Sequence, residues 1–214
     1  MSRFQTWSAS LALTILAVAI CVAWLDRPIA YAMHDALGRY EFLARFTRTP
    51  SFSSPLAILI FLVFLARRIV RRRFARLDLV LILCDVSIIL AKLLLGPLKF
   101  AFGRTWPRYH EPSLIHDGVY GFNFFHAGNA FESFPSGHVG SICALLVVLW
   151  MFYPRFRLVY AACVAAMAIP LVVANYHFLS DVIAGGFLGS STAVLVVSAW
   201  EAWDRRRVPA GAVR

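Results

Sequence analysis

Six apolar stretches of near-bilayer length, at roughly 7–25, 54–70, 77–97, 136–153, 157–175 and 181–200, constrain this chain more than any other feature. A bilayer core takes about 20 apolar residues per helix, and a backbone in lipid must satisfy its polar groups internally. Lys, Arg, Asp and Glu are scarce inside the stretches, and 60% of the 214 residues are hydrophobic against 15% charged. That is too apolar for an ordinary soluble domain. The expected fold is all-α: a single domain over residues 1–214, built as a polytopic membrane bundle of about six transmembrane helices.

The formal net charge of +10 raises the question of nucleic acid, but the positions of the charges answer it. Arg67, Arg68, Arg71, Arg72, Arg73 and Arg76 lie between the second and third stretches, and Arg155 and Arg157 between the fourth and fifth. Arg205, Arg206 and Arg207 follow the sixth, and Arg3 precedes the first. Simple alternation of the spans puts all four segments on one side, as the positive-inside rule expects of cytoplasmic loops and termini. Basic juxtamembrane runs fix topology or meet anionic lipid. Membrane lipids are therefore the expected partners, and nucleic acid is not.

Cys21, Cys84, Cys143 and Cys163 each fall in a different apolar stretch with no CxxC pair, so they are expected to be small buried hydrophobes. Arg3, the first apolar run and Ala30-Tyr31-Ala32 loosely resemble a signal peptide. The run is longer than an h-region and Asp26-Arg27-Pro28 interrupts it, so an uncleaved first helix is expected. Residues 28–50 are too polar to span; Ile29, Met33, Leu37 and Tyr40 recur at a spacing that suits an interfacial helix, with a solvated loop as the alternative. Pro50 to Pro55 is expected to break the chain before the second span. Asp85, Lys92 and Lys99 share one stripe of the third span, where intramembrane charges face the bundle interior.

Residues 98–135 form the longest polar connection and, by alternation, lie opposite the arginine-rich segments. A loop of that length is more often functional than idle. It carries Lys99, Arg104, Arg108, His110, Glu111, His116, Asp117, His126 and Glu132, and it ends at Pro135-Ser136-Gly137-His138. Farther on, His177-Phe178-Leu179-Ser180-Asp181 opens the sixth span on the same face. Helix N-termini supply N–H donors and a positive dipole end to an anion, so two helix starts would converge on one phosphate. Pro135 suits a first helical position, Ser136 has a hydroxyl to donate, and Gly137 lets the backbone approach an oxyanion.

His177 and Asp181 are four residues apart, so on a helical turn the carboxylate can accept the imidazole N–H and raise the basicity of the other nitrogen. That is the logic of an oriented nucleophile. His138 would protonate the departing alkoxide and then activate water. Lys99 and Arg104 would neutralise the phosphoryl oxygens. The arrangement requires neither metal nor cofactor. Taken singly, an H-x-x-x-D pair is often only a helix cap, the loop histidines need not be ligands, and Phe122 to Phe125 suit interfacial anchoring.

At these residues the chain resembles the type 2 phosphatidic acid phosphatase (PAP2) superfamily, which includes bacterial lipid phosphatases and vanadium haloperoxidases. The family pattern is Lys-x6-Arg-Pro, then Pro-Ser-Gly-His, then Ser-Arg-x5-His-x3-Asp. The resemblance implies a six-helix membrane fold, a phosphohistidine at His177 and acid/base work by His138. It further implies phosphate binding by Lys99, Ser136 and Gly137, support of His177 by Asp181, and a bacterial inner membrane location. Two family arginines are missing: Trp106 precedes Pro107 where the first belongs, and Pro170-Leu171 stands at the Ser-Arg position. Arg104 is the expected substitute, with Asn175, His126 and Arg108 behind it.

The implied function is phosphate removal from a lipid headgroup at the outer, periplasmic face. The substrate would be phosphatidic acid, phosphatidylglycerophosphate, undecaprenyl diphosphate or a phosphate of lipid A. A phosphotransferase using the same site and a non-catalytic lipid-binding or transport protein are the alternatives.

Overall fold

The computed structural model describes residues 3–37, 53–70 and 75–207. Helix α1 (Arg3–Ile20) runs through a π-helical turn (Cys21–Leu25) into α2 (Asp26–Leu37), so one continuous rod replaces the expected short span and separate surface helix. The reason is Asp26: it is buried against Arg104 and Ser180 instead of facing water, so its charge does not end the helix. The remaining interfacial positions, Tyr40 among them, lie outside the described residues. Helix α3 (Ser53–Val70) takes Pro55 into its first turn, where a missing N–H costs nothing.

Helix α4 (Arg76–Phe102) is closed at its start by Asp78, which accepts from Ala75 N at 2.8 Å and from Arg67 Nε at 2.9 Å. Its end requires glycine: Gly103 has φ +51°, and a Cβ there would lie 1.7 Å from Asn123 O. A single turn, α5 (Leu114–Asp117), interrupts the long loop. Helix α6 (Gly137–Phe152) has Ser136 as N-cap, which places Pro135 just before the helix and not at its first position. Helices α7 (Arg157–Val173) and α8 (Leu179–Arg207) complete the fold. Among the described residues there are only isolated β-bridges and no strands.

Helices α4, α6 and α8 pack against one another at the centre, with α1, α3 and α7 outside them. Val80, Leu83, Val148 and Val197 fill one layer, Ile88, Ala91 and Ala144 a second, and Val139, Leu171 and Val182 a third. The α6–α8 contact is close enough to exclude side chains: a Cβ on Gly189 would sit 2.0 Å from Gly140 O, and one on Gly185 2.3 Å from Ser136 O. The outer helices display large apolar side chains such as Leu13, Phe61 and Leu158, which suits contact with lipid. Four described helical stretches, Phe4–Leu37, Arg76–Phe102, Pro154–Val173 and Leu179–Arg206, are long and apolar enough to cross a membrane. Gly137–Phe152 is a shorter apolar helix and α3 has 18 residues, so all six expected spans correspond to apolar helices.

Three of the cysteines are buried and Cys163 is exposed on α7, against the expectation for all four. The start of α4 meets the ends of α6 and α8: Arg76 donates to Phe152 O at 3.3 Å and lies over the Tyr153 ring, and Phe152 packs on Trp200. Lys99, Ser136 and His177 are at the other end.

Candidate active site

The last turn of α4, the loop after it and the starts of α6 and α8 enclose a polar cavity of about 230 Å³. Lys99, Trp106, His110, Asn129, Glu132, Gly137, His138, Tyr176 and His177 line it. The two sequence motifs meet through the backbone, since Ser136 N donates to Asp181 O at 3.0 Å. The rings of His138 and His177 are 6.2 Å apart, and Lys99 Nζ is 3.9 Å from Glu132 and 5.9 Å from the centre of the Trp106 ring. A lysine whose counter-ion is this distant and half exposed keeps most of its charge for a third party.

His177 lies just before α8, held by its N–H to Leu171 O at 3.0 Å. Asp181 falls in the first turn and folds back to accept from Phe178 N at 2.9 Å, the carboxylate half of a capping box. The same Oδ2 accepts from Ser133 Oγ at 2.6 Å and is 3.5 Å from His177 Nδ1, at the outer limit of hydrogen bonding. The His177 ring lines the cavity. Burial pushes the His177 pKa below the ordinary imidazole value against the pull of Asp181, which favours the neutral ring.

Two expected phosphate ligands are elsewhere. Ser136 is fully buried and its hydroxyl accepts from Val139 N, capping α6 instead of entering the cavity. Arg104 is also fully buried, and its terminal nitrogens donate to Ser180 and Asp181 at 2.5 Å, to Asp26 at 2.7 Å and to Tyr120 at 3.0 Å. It therefore stands behind Asp181 and away from the cavity. A loop residue's sequence position gives its neighbourhood but not its facing, and two carboxylates outcompete a solvated pocket for a guanidinium.

The places of the missing arginines are filled by apolar groups. Trp106 makes a wall of the cavity, its ring 5.1 Å from both Tyr176 and His177, and donates to Asn129 O at 2.6 Å. Leu171 packs into the core with Val139 and Val182. Asn175 is spent on Ala30 O at 3.0 Å, and His126 packs on Phe131 outside the cavity. Reasoning from sequence passed over His110, Asn129 and Tyr176 as cavity residues and over Asp26 and Ser133 as supports, because none belongs to a motif. Tyr176 alone carried a signal, as the neighbour of His177. Phe122 and Phe124 line an apolar cavity of about 620 Å³ between α1, α4 and α8.

The family's sequence model for the PAP2 superfamily matches residues 79–205, from the first turn of α4 almost to the end of α8. The chain belongs to this superfamily. The PAP2 match takes in Lys99, His138, His177 and Asp181 but leaves out α1 to α3. Lipid A 1-phosphatases of Rhizobium johnstonii and Rhizobium etli are each 34% identical over 110 residues, or 51% of this chain. Those alignments take in 43% and 45% of the relatives, so this PAP2 chain covers less than half of their length. The crystal structure of a transmembrane PAP2-type phosphatidylglycerolphosphate phosphatase from Bacillus subtilis superposes with a TM-score of 0.57 at 20% identity. It covers 95% of this chain and 98% of its own, and shares the fold. The apolar helices and that transmembrane neighbour mark an integral membrane protein.

With Arg104 turned away, Lys99 is the one Lys or Arg among the described residues that line the cavity. Lys99→Met is expected to lower kcat by about 10²-fold, the usual cost of one charged donor to a transition state. Steady-state phosphate release at saturating substrate checks it.

Proposed function

We propose that this PAP2 chain is a lipid phosphatase that works through a phosphohistidine. His177 Nε2 attacks phosphorus while the bond to the lipid oxygen breaks, and His138 gives that oxygen its proton. His138 then takes a proton from water, whose oxygen attacks the phosphohistidine and releases inorganic phosphate. Lys99 and the N–H groups of Gly137 and His138, at the free start of α6, hold the phosphoryl oxygens. Asp181 keeps the His177 ring oriented. The observation that carries this reading is one polar cavity lined by His138, His177 and Lys99 where two helices begin. The active site faces the periplasm, the arginine-rich end and both termini face the cytoplasm, and the scheme uses no metal.

The relatives' names nominate two substrates: the 1-phosphate of lipid A and phosphatidylglycerolphosphate. Phosphate release by the purified chain from both, and from phosphatidic acid, is expected for at least one lipid; no release from any contradicts the reading. Burial of His177 sets the sign of the pH response. A nucleophile with a lowered pKa stays deprotonated to lower pH, so the acid limb of kcat/KM is expected below the ordinary imidazole value of about 6.5. A pH–rate profile with that limb above about 7 would contradict the neutral His177.

A further inference from the structure

Arg104 is among the most deeply buried side chains of the protein, and nothing in the cavity uses it. A guanidinium taken out of water is costly unless its charge and donors are matched. Here the charge is matched by two carboxylates from different helices. Its two terminal nitrogens reach Asp181 Oδ1 at 2.5 Å and Asp26 Oδ2 at 2.7 Å and donate also to Ser180 and Tyr120, while Nε has no hydrogen-bond partner among the described residues. The rings of Phe178 and Phe122 lie 4.2 and 4.8 Å from its Cζ. Asp26 in turn accepts from Ser180 N at 3.1 Å and from the Ser180 hydroxyl.

The first helix is shaped for this contact. Its π-helical turn, Cys21–Leu25, ends at Asp26, and Val22 O accepts from the Tyr120 hydroxyl at 2.8 Å. Such turns mark places where a helix has been re-aimed for a function. Asp26 lies outside residues 79–205, the part of the chain that the family pattern describes.

We propose that Asp26, Arg104 and Ser180 form a positioning relay that carries the first helix's hold through Asp181 to His177. The inference rests on the phosphohistidine reading above. Asp26 fixes the guanidinium and the guanidinium holds Asp181 Oδ1. Ser133 and the Phe178 N–H then hold Oδ2 where it faces His177 Nδ1. Without the clamp on Oδ1 the carboxylate can rotate about its own bond, and the imidazole loses its orientation. These are positioning residues, not catalytic ones, since none reaches the cavity.

The test is kinetic, on the full chain in detergent, with the lipid phosphate that wild type hydrolyses fastest and with inorganic phosphate as product inhibitor. Asp26→Asn and Arg104→Lys are each expected to lower kcat by about 10- to 100-fold, the usual effect of removing a supporting partner. KM and the inhibition constant for inorganic phosphate are expected to stay within about twofold, and Asp26→Glu to recover part of the loss. A rise in KM and in the phosphate inhibition constant at unchanged kcat overturns the relay, because Arg104 would then be holding phosphate. Unchanged kcat and KM with a lower melting temperature also overturn it, because the contact would only tie helices together. Should Asp26→Asn fail to fold, Tyr120→Phe and Ser180→Ala each remove a hydroxyl that bonds Arg104 and the first helix. A fall in their kcat at constant KM is expected, and wild-type values in both overturn the proposal. No turnover by wild type on any lipid sinks the phosphatase reading and the relay with it; turnover with any of the contrary patterns above sinks the relay alone.

Discussion

His177→Ala is expected to reduce phosphate release by roughly 10⁴-fold or more, as removal of an attacking nucleophile does elsewhere. His177 and His138 are not interchangeable here. The His177 ring is buried and backed by a carboxylate, whereas His138 is half buried at the opening of α6. Their ring centres are 6.2 Å apart on the wall of one cavity of about 230 Å³. Folding is expected to survive, because the His177 backbone, and not its imidazole, makes the 3.0 Å bond to Leu171 O that holds this turn. Melting temperature and phosphate release measured together check this, and an active His177→Ala protein would refute the mechanism.

Gly185→Ala is expected to produce the second large effect, through the backbone. Its new Cβ would lie 2.3 Å from Ser136 O, 3.1 Å from Ser136 C and 3.2 Å from Ser136 Cβ. All three atoms belong to the turn that starts α6, and a backbone oxygen cannot swing aside as a side-chain tip can. Overpacking in a close contact costs about 1–3 kcal/mol, and here the upper end is expected because α6 and α8 must separate. That separation would also stretch the bond from Ser136 N to Asp181 O and misalign His138 with His177. Gly186→Ala is the control, since its Cβ would meet nothing closer than 3.6 Å. Denaturation in detergent and kcat of both variants check the pair; equal stability would contradict the account of the helix contact.

The helices were legible because lipid imposes one rule along each of them: a run of apolar residues that ends where water begins. The same rule misjudged Asp26, whose partner Arg104 is 78 positions away in the chain, so no local pattern could show that its charge is neutralised. His138, His177 and Lys99 were readable because each is anchored at a helix end, where spacing fixes direction. Arg104 and Ser136 were misplaced for the opposite reason. A loop residue faces whatever its fold brings near, and a hydroxyl at a helix start has the alternative of capping that helix, which Ser136 takes. Trp106 was recognised as a departure from the family pattern. Only the fold shows that an indole became a wall of the cavity at that point.

The most direct test of the central claim is to look for the covalent intermediate. Wild-type protein mixed in excess with a ³²P-labelled lipid phosphate that it hydrolyses, and quenched in alkali within one turnover, should carry protein-bound label. The label should be acid-labile and map to the peptide that contains His177, and His177→Ala should carry none. Label on His138, or a complete turnover of active wild type with no labelled protein at any time point, would contradict the account.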